Sequence, residues 1–278
     1  MHPLVNHLIQ LQELTLIKDE QKVAPREGHL EMLEEAIGGM MQQLPPPIRD
    51  QFNKLHKKDH IVIAPIHDGR CALCSMMLPI SQVQAVRMGK AVHSCPNCAR
   101  MLYFPESSAR WVGVQPRRTA PRKVGISRFS SQTLMVPSLE AENREMAIRE
   151  LACKMEFEGF VDKADRLVET ALRREAIVST AVDHGLAFPH ARGVEGGGLT
   201  LALGISRKGI DFGGPAKQLT RVVFFMAIPT AASAFYLKLL AGLTETFMDP
   251  ESRKAVMAEK DAEKLWRTMV RVTRLTVK

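Results

Sequence analysis

Residues 174–192 read REAIVSTAVDHGLAFPHAR, and this stretch decides the fold of the chain. Leu186 and Phe188 lie two positions apart, so their side chains point to one face of an extended segment. Pro189 has no N–H and a fixed φ, so we expect the strand to stop there and to hold His190 in the loop at its end. A neutral imidazole at such a position is a good nucleophile at cellular pH. The stretch therefore predicts a strand that presents a nucleophilic histidine.

Helical and strand patterns alternate along the chain from Gln132 onward. Residues 141–158 carry apolar side chains at helical spacing. Residues 199–205 alternate as in a half-buried strand, and residues 222–228 form a continuous apolar run, as in a strand covered on both faces. Helices that alternate with buried strands predict a layered α/β domain over residues 132–278.

Four of the five cysteines form two C-x2-C pairs separated by twenty residues. These cysteines are Cys71, Cys74, Cys95 and Cys98. Each pair aims two thiolates at one point, and four thiolates complete a closed tetrahedral site of the structural zinc type. Two disulfide bonds are the alternative, but they are disfavoured because no secretory signal pattern precedes the pairs. The spacing therefore predicts a structural Zn²⁺ ion in a small zinc ribbon over residues 59–105.

The ribbon segment carries few basic residues, namely Arg70, Arg87, Lys90 and Arg100. A nucleic-acid surface needs clustered Lys and Arg side chains, so we favour protein contact or a purely structural role for the ribbon over base recognition. The fifth cysteine, Cys153, lies between apolar neighbours at helical spacing, and we expect it to pack in the core.

Residues 1–58 read as helical. Leu4, Leu8, Leu11 and Leu14 form a stripe along one helix face, and a second helix begins near His29. Prolines at 45–47 interrupt that helix before a further short helical segment. The order of helices and ribbon resembles the helical-hairpin and zinc-ribbon arrangement of some bacterial proteins. The alternative is a helix pair that forms a homodimer, because a stripe this short needs a partner to be buried.

The positive charge is concentrated in one segment. The formal net charge is +8, yet residues 132–278 hold 21 basic and 19 acidic side chains. Residues 106–131 contain most of the excess, namely Arg110, Arg117, Arg118, Arg122, Lys123 and Arg128, together with two prolines. We interpret this segment as an inter-domain linker. A solvated spacer is favoured over a nucleic-acid arm, because so short a patch gives only weak anion attraction.

No apolar run approaches the roughly 18 residues that a membrane helix needs. The first residues also lack a basic region followed by a long apolar core, so no signal peptide is predicted. A cytoplasmic location is the resulting expectation.

The stretch at 174–190 resembles the active-site segment of the enzyme IIA domains of the phosphoenolpyruvate-dependent phosphotransferase system, of the fructose/mannitol and nitrogen-regulatory type. Arg174-Glu175 precedes Ser179-Thr180, and residues 185–190 match the family pattern of Gly, apolar, small, apolar, Pro and His. The segments LTLALGIS, IDFGG, RVVFFMAIP and YLKLLAGL then follow in the family's order. The resemblance implies a mixed sheet flanked by helices, and His190 as the phosphoryl-accepting residue.

The resemblance also implies roles for four further residues. Arg174 is the expected guanidinium clamp on the phosphate oxygens, and Thr180 is expected to add a donor. His184 is expected to orient His190 or to bind phosphate, with an ordinary turn histidine as the alternative. Tyr236 stands where many family members carry a second histidine, so it can donate a hydrogen bond to phosphate but supplies no charge.

Two hypotheses about function follow from the resemblance, and a third departs from it. In the first, His190 takes a phosphoryl group from the histidine-containing phosphocarrier protein and passes it to a IIB-type partner. In the second, the domain senses phosphorylation, and the helical and zinc-binding part contacts a regulatory protein or, less favoured, a nucleic acid. In the third, the fold serves only as a binding scaffold, which the Tyr236 departure permits.

Overall fold

A computed structural model of the chain describes residues 3–24, 29–105, 108–113, 123–215 and 218–278. These residues fall into two compact units: Met1–Ser107 with Thr230–Ala234, and Ser108–Pro229 with Phe235–Lys278. Three arginines of the expected linker, Arg117, Arg118 and Arg122, lie outside the described residues. The finer division at residues 58, 105 and 131 stays a prediction.

Three helices open the N-terminal unit: α1 (Pro3–Val23), α2 (His29–Gln42) and α3 (Pro46–His56). Helix α1 packs against α2. Helix α3 begins at a proline because the first helical position has no intrahelical use for an N–H. The buried stripe of α1 is formed by Val5, Leu8 and Leu11, whereas the predicted Leu4 and Leu14 are only half-buried.

A small sheet completes this unit. Its elements are β1 (Ile63–His67), β2 (Arg70–Cys71), α4 (Ile80–Met88), β3 (His93–Ser94) and β4 (Met101–Tyr103). The strand order is β2-β1-β4-β3, with β1 and β4 parallel and the other two pairs antiparallel. Parallel neighbours need a crossover connection, and α4 lies within it. One apolar cluster joins the helices to the sheet: Val5, Leu8, Leu11, Leu44, Phe52, Leu55, Val62, Ile63 and Met101.

The C-terminal unit is a mixed sheet with helices, as predicted. Its strands are β5 (Met135–Val136), β6 (Ala181–Val182), β7 (Leu186–Ala187), β8 (His190–Val194), β9 (Thr200–Ile210) and β10 (Thr220–Pro229). The order is β5-β9-β10-β7-β6, and β8 also pairs with β10. Strand β10 runs antiparallel to β9 and parallel to both β7 and β8. The long apolar strand thus organises the sheet that carries the predicted histidine.

Five helices belong to the same part of the chain: α5 (Arg144–Phe157), α6 (Ala164–Ile177), α7 (Ser233–Met248), α8 (Pro250–Ala258) and α9 (Ala262–Val272). Helix α5 packs against α6 and against β9 and β10, and α6 packs against β8. Helix α5 begins where Asn143 accepts a hydrogen bond from the backbone N–H of Met146 at 2.9 Å. Across the described residues, no helix combines the length and the apolar character that crossing a bilayer requires.

Two expectations about burial in this unit are wrong. Strand β9 is buried continuously from Thr200 to Ser206, not half-buried, because neighbouring segments cover both faces. Gly204 shows how closely they approach, since a Cβ atom there would lie 2.8 Å from the Leu139 side chain. Cys153 is exposed on α5, because the buried face of that helix carries its neighbours Leu151 and Ala152 instead.

Candidate functional site

His190 lies at the start of a buried strand rather than in a loop. Strand β7 stops before Phe188 and Pro189, and β8 begins at His190. Both short strands pair with the same long strand β10, where Met226 is the partner of His190. Pro189 has no N–H for the ladder, but its carbonyl accepts from the N–H of Met226 at 3.0 Å. The histidine is therefore 1% exposed, in the centre of the sheet.

The backbone beside His190 determines which ring nitrogen carries the proton. Nδ1 of His190 lies 3.1 Å from the carbonyl oxygen of Phe188. A carbonyl oxygen can only accept, so this hydrogen bond requires a proton on Nδ1. In the neutral ring Nε2 then holds the lone pair. The arrangement makes Nε2 the nucleophilic atom of His190.

Tyr236 contacts His190 on the Nδ1 side of the ring. Its hydroxyl oxygen lies 3.2 Å from Nδ1, and the two ring centroids are 4.9 Å apart. Because Nδ1 carries the proton, the hydroxyl oxygen is a second acceptor of the same N–H. The side chain of Tyr236 is 1% exposed, so its position is fixed by packing. Tyr236 therefore orients the imidazole ring from the side away from Nε2.

Arg192 is a site residue that the sequence reasoning missed. Its guanidinium carbon lies 4.7 Å from the centroid of the Tyr236 ring. It follows His190 by two positions on β8, and alternate residues of a strand point to the same face. That period of two was the available signal. Arg192 brings to the site the positive charge that Tyr236 lacks.

Arg174 is buried in the last turn of α6, the helix that packs against β8. One of its terminal nitrogens, Nη1, donates to the carbonyl oxygen of Val178 at 2.7 Å. The structure thus places the predicted cation on the helix that packs against the histidine strand.

Thr180 is engaged by a carboxylate that the sequence reasoning did not single out. Its hydroxyl donates to Oε2 of Glu175 at 2.7 Å, and its backbone N–H donates to Oε1 at 2.9 Å. Both residues are buried, and Glu175 is 3% exposed. The proton that Thr180 was expected to offer to phosphate is directed to Glu175. The pair fixes the connection between α6 and β6.

His184 is exposed on the short 3-10 turn Asp183–Gly185. Its φ of 66° lies in the left-handed region that a non-glycine residue adopts mainly in turns. The ring of His190 contacts Phe188 and Tyr236, and among the described contacts none joins it to His184.

The four cysteines of the N-terminal unit form two equivalent turns. In the first, the N–H of Ser75 donates to the carbonyl of Cys71 at 2.8 Å; in the second, the N–H of Ala99 donates to that of Cys95 at 2.9 Å. Ser75 and Ala99 both have a positive φ, of 59° and 62°. Each turn thus aims its two cysteines to the same side, as the spacing predicts.

The sulfur positions fit a tetrahedral metal ion. All four Sγ atoms lie within 4.8 Å of one another, and two of the pairs, Cys71 with Cys98 and Cys74 with Cys95, are 3.7 Å apart. Zinc–sulfur bonds of about 2.3 Å in a tetrahedron place the sulfurs about 3.8 Å apart. The separations therefore match a zinc site made of four thiolates.

The thiol chemistry at this cluster also favours a cation. Burial raises the pKa of Cys71 and of Cys98. Burial also acts to raise the pKa of Cys74, but hydrogen bonds from Asn97 and the Met76 backbone outweigh it and lower the pKa to about 7. Several thiolates this close repel one another, and a divalent ion offsets that repulsion.

Two family models match this chain. The family model described as "Phosphoenolpyruvate-dependent sugar phosphotransferase system, EIIA 2" matches residues 129–271. The model of a C4-type zinc ribbon domain matches residues 70–102. The first match covers just over half of the chain and contains every residue of the His190 site.

Two relatives and one solved structure resemble parts of this chain. A nitrogen regulatory protein of Bradyrhizobium diazoefficiens is 30% identical over 136 residues, which are 48% of this chain and 86% of that protein. A fructose-specific EIIA component of Haloferax volcanii is 28% identical over 99 residues, 36% of this chain and 64% of that protein. The solved structure of the nitrogen regulatory protein IIA-Ntr from Neisseria meningitidis superimposes with a TM-score of 0.47 at 20% identity, over 51% of this chain and 96% of that one.

Proposed function

This chain belongs to the EIIA type-2 family of the phosphoenolpyruvate-dependent sugar phosphotransferase system, and from this membership we propose that His190 is its phosphoryl acceptor. The donor is a histidine-containing phosphocarrier protein, and the recipient is a IIB-type protein. The domains of this family are phosphotransfer proteins, and the relatives carry both sugar-transport and nitrogen-regulatory names. The partners imply a cytoplasmic location.

The observation that carries the proposal is the hydrogen bond between Nδ1 of His190 and the carbonyl of Phe188. It keeps the proton on Nδ1, so the lone pair of Nε2 attacks the phosphorus of the donor phosphohistidine. The new Nε2–P bond forms while the donor's N–P bond breaks, and the donor nitrogen keeps the electron pair of that bond. No proton leaves His190, and the Phe188 carbonyl stabilises the ring that becomes cationic on phosphorylation.

Arginines supply the charge that this transfer needs. A phosphoryl group brings about two negative charges, and transfer depends on positioning and charge stabilisation more than on other chemistry. Arg192, held over the Tyr236 ring, is the cation on the histidine's own strand. Arg174 adds a second cation from the end of α6. Tyr236 orients the ring, and Thr180 with Glu175 fixes the chain between helix and sheet.

A second function is favoured by the burial of the histidine. His190 is 1% exposed, so a carrier protein gains access only after local rearrangement. In a regulatory or scaffold protein the phosphoryl group, or its absence, would set which surfaces are presented to a partner. The helices and the zinc ribbon would then bind a regulatory protein, or a second copy of the chain through α1 and α2. Nucleic acid is the less favoured target because the ribbon holds few basic residues.

The zinc ribbon has a structural role in either function. We propose that Cys71, Cys74, Cys95 and Cys98 hold one Zn²⁺ ion, which replaces part of the core that so small a sheet lacks. All four ligand positions are thiolates, so no position is left for a catalytic water.

One assay tests the step that the carrier function requires, which is phosphorylation of His190. The protein is incubated with phosphoenolpyruvate, enzyme I and the histidine-containing phosphocarrier, and its intact mass is measured before and after brief acid treatment. We expect one acid-labile phosphoryl group that is absent from His190→Ala and retained in His184→Ala, the matched control on an exposed turn. A folded protein that takes up no phosphoryl group would overturn the carrier function and leave the scaffold.

A further inference from the structure

The C-terminal unit contains a cavity that the phosphoryl site does not use. Its volume is about 340 Å³, which lies within the range of small-molecule pockets. The walls come from four separate segments: residue 111, residues 123 and 128–130, residue 160, and residues 197–200. The cavity is therefore a product of the tertiary fold and not of one loop.

Three aromatic side chains line the cavity: Trp111, Phe129 and Phe160. All three residues are half-buried. Each is also held by the backbone near it. The N–H of Trp111 donates to the carbonyl of Glu195 at 2.9 Å, the N–H of Val112 donates to the carbonyl of Phe160 at 2.9 Å, and the carbonyl of Phe129 accepts from Leu201 at 2.7 Å.

The indole of Trp111 lies directly on the glycine segment. A Cβ atom at Gly197 would lie 2.1 Å from the indole Cγ, so only glycine permits this approach. The run of glycines at 196–198 therefore has a packing function at position 197, in place of the loop flexibility that its composition suggests. Packing therefore fixes this part of the aromatic wall, because the Trp111 indole lies against the backbone of Gly197.

Among the described residues, two cations and no carboxylate line the same cavity. Lys123 and Arg128 are both exposed, so their charges are available to a ligand from solvent. One Nη atom of Arg128 donates to the carbonyl of Lys278 at 3.2 Å, and its guanidinium carbon lies 5.2 Å from the centroid of the Phe129 ring. The remaining N–H donors of this guanidinium are enough for an anion.

We propose that this cavity binds a planar aromatic anion of about the size of a nucleoside monophosphate. The ring of such a ligand stacks on the aromatic walls, and its anionic group pairs with Lys123 and Arg128. Binding requires both the ring stacking and the ion pairing. Exposed cations alone give weak attraction, and the aromatic walls carry no charge to orient a ligand.

Tryptophan fluorescence tests the proposal directly. The chain has two tryptophans, so Trp266→Phe leaves Trp111 in the cavity wall as the only reporter. Three probes separate the two halves of the recognition: adenosine monophosphate has ring and charge, adenosine has the ring, and ribose 5-phosphate has the charge. We expect saturable quenching by adenosine monophosphate and at least about tenfold weaker binding of the other two.

Matched variants complete the test. Lys123→Ala should raise the dissociation constant for adenosine monophosphate by about fivefold to tenfold, and Lys123→Arg should restore it. Lys254→Ala is the control, since Lys254 is an exposed lysine that does not line the cavity. Three results would each overturn the proposal: no saturable quenching up to the order of 10 mM, equal binding of ribose 5-phosphate, or unchanged affinity in Lys123→Ala with the fold intact by circular dichroism.

Discussion

The guanidinium of Arg192 lies over the ring of Tyr236, with 4.7 Å between its central carbon and the ring centroid. The hydroxyl oxygen of Tyr236 in turn lies 3.2 Å from Nδ1 of His190, so the guanidinium, the phenol and the imidazole form one contiguous group. The family resemblance implies a second histidine at the position of Tyr236 in many members. Here a positive charge comes instead from Arg192, on the strand that carries His190, the proposed phosphoryl acceptor.

Replacement of Arg192 should slow phosphorylation without unfolding the domain. Arg192→Ala removes a cation from the place where phosphoryl charge develops, and we expect a rate about 100-fold lower, with partial recovery in Arg192→Lys. The rate is measured by quenched-flow mixing with the phosphorylated carrier and intact mass. Arg173→Ala is the control, because Arg173 is an exposed arginine on α6 that pairs with Glu169. Equal rates in Arg192→Ala and Arg173→Ala would remove Arg192 from the site.

Loss of the Tyr236 hydroxyl should have a smaller effect. In Tyr236→Phe the ring packing stays, and Nδ1 of His190 keeps its hydrogen bond to Phe188. We expect a rate about threefold to tenfold lower and a stability loss of about 1 kcal/mol, the typical value of one hydrogen bond. The measurements are the transfer rate and the thermal unfolding temperature. A loss as large as that of Arg192→Ala would show that the hydroxyl contacts the phosphoryl group, against the positioning role.

The Glu175 carboxylate should be important for stability. It accepts both the hydroxyl and the backbone N–H of Thr180 inside the fold. Glu175→Ala leaves both donors buried without their acceptor, and we expect a loss of about 2 to 4 kcal/mol. Glu169→Ala, on the exposed face of the same helix, should change stability by less than about 0.5 kcal/mol. Urea unfolding followed by circular dichroism compares the two, and similar midpoints would contradict the assigned role of Glu175.

Metal analysis should find one zinc ion per chain, and zinc binding should require only four of the five cysteines. Cys98→Ser removes a ligand from the cluster, so we expect loss of zinc and of the ribbon structure. Cys153→Ser changes an exposed thiol on α5 and should keep both. Elemental analysis by mass spectrometry, with circular dichroism for the fold, distinguishes the variants. Stoichiometric zinc in Cys98→Ser would refute the four-thiolate site.

The parts of the molecule that depend on local pattern were predictable from the sequence. The spacing of the cysteines anticipated the cluster, and the apolar run at 222–228 anticipated the central strand. Pro189 correctly marked an interruption before His190. Each of these features depends on neighbouring residues and on backbone chemistry, which a single sequence records.

The rest depends on contacts between distant segments. The sequence does not show that the strands on both sides of Pro189 pair with one long strand, and this pairing buries His190 instead of leaving it in a loop. The stacking of Arg192 on Tyr236 joins residues 44 positions apart, so the period of two along β8 relates Arg192 to His190 but does not reveal the contact with Tyr236. Cys153 was misplaced because successive side chains on a helix are about 100° apart, so the residue after Leu151 and Ala152 turns away from the buried face.

The central claim is that Nε2 of His190 carries the phosphoryl group, and a long-range ¹H–¹⁵N correlation spectrum of the histidine rings tests it most directly. The spectrum is recorded after phosphorylation by the carrier, on the wild-type protein and on His190→Ala. We predict one histidine with its phosphoryl group on Nε2 and its proton on Nδ1, missing from the variant. A phosphoryl group on Nδ1, on another histidine, or on none of them would contradict the account.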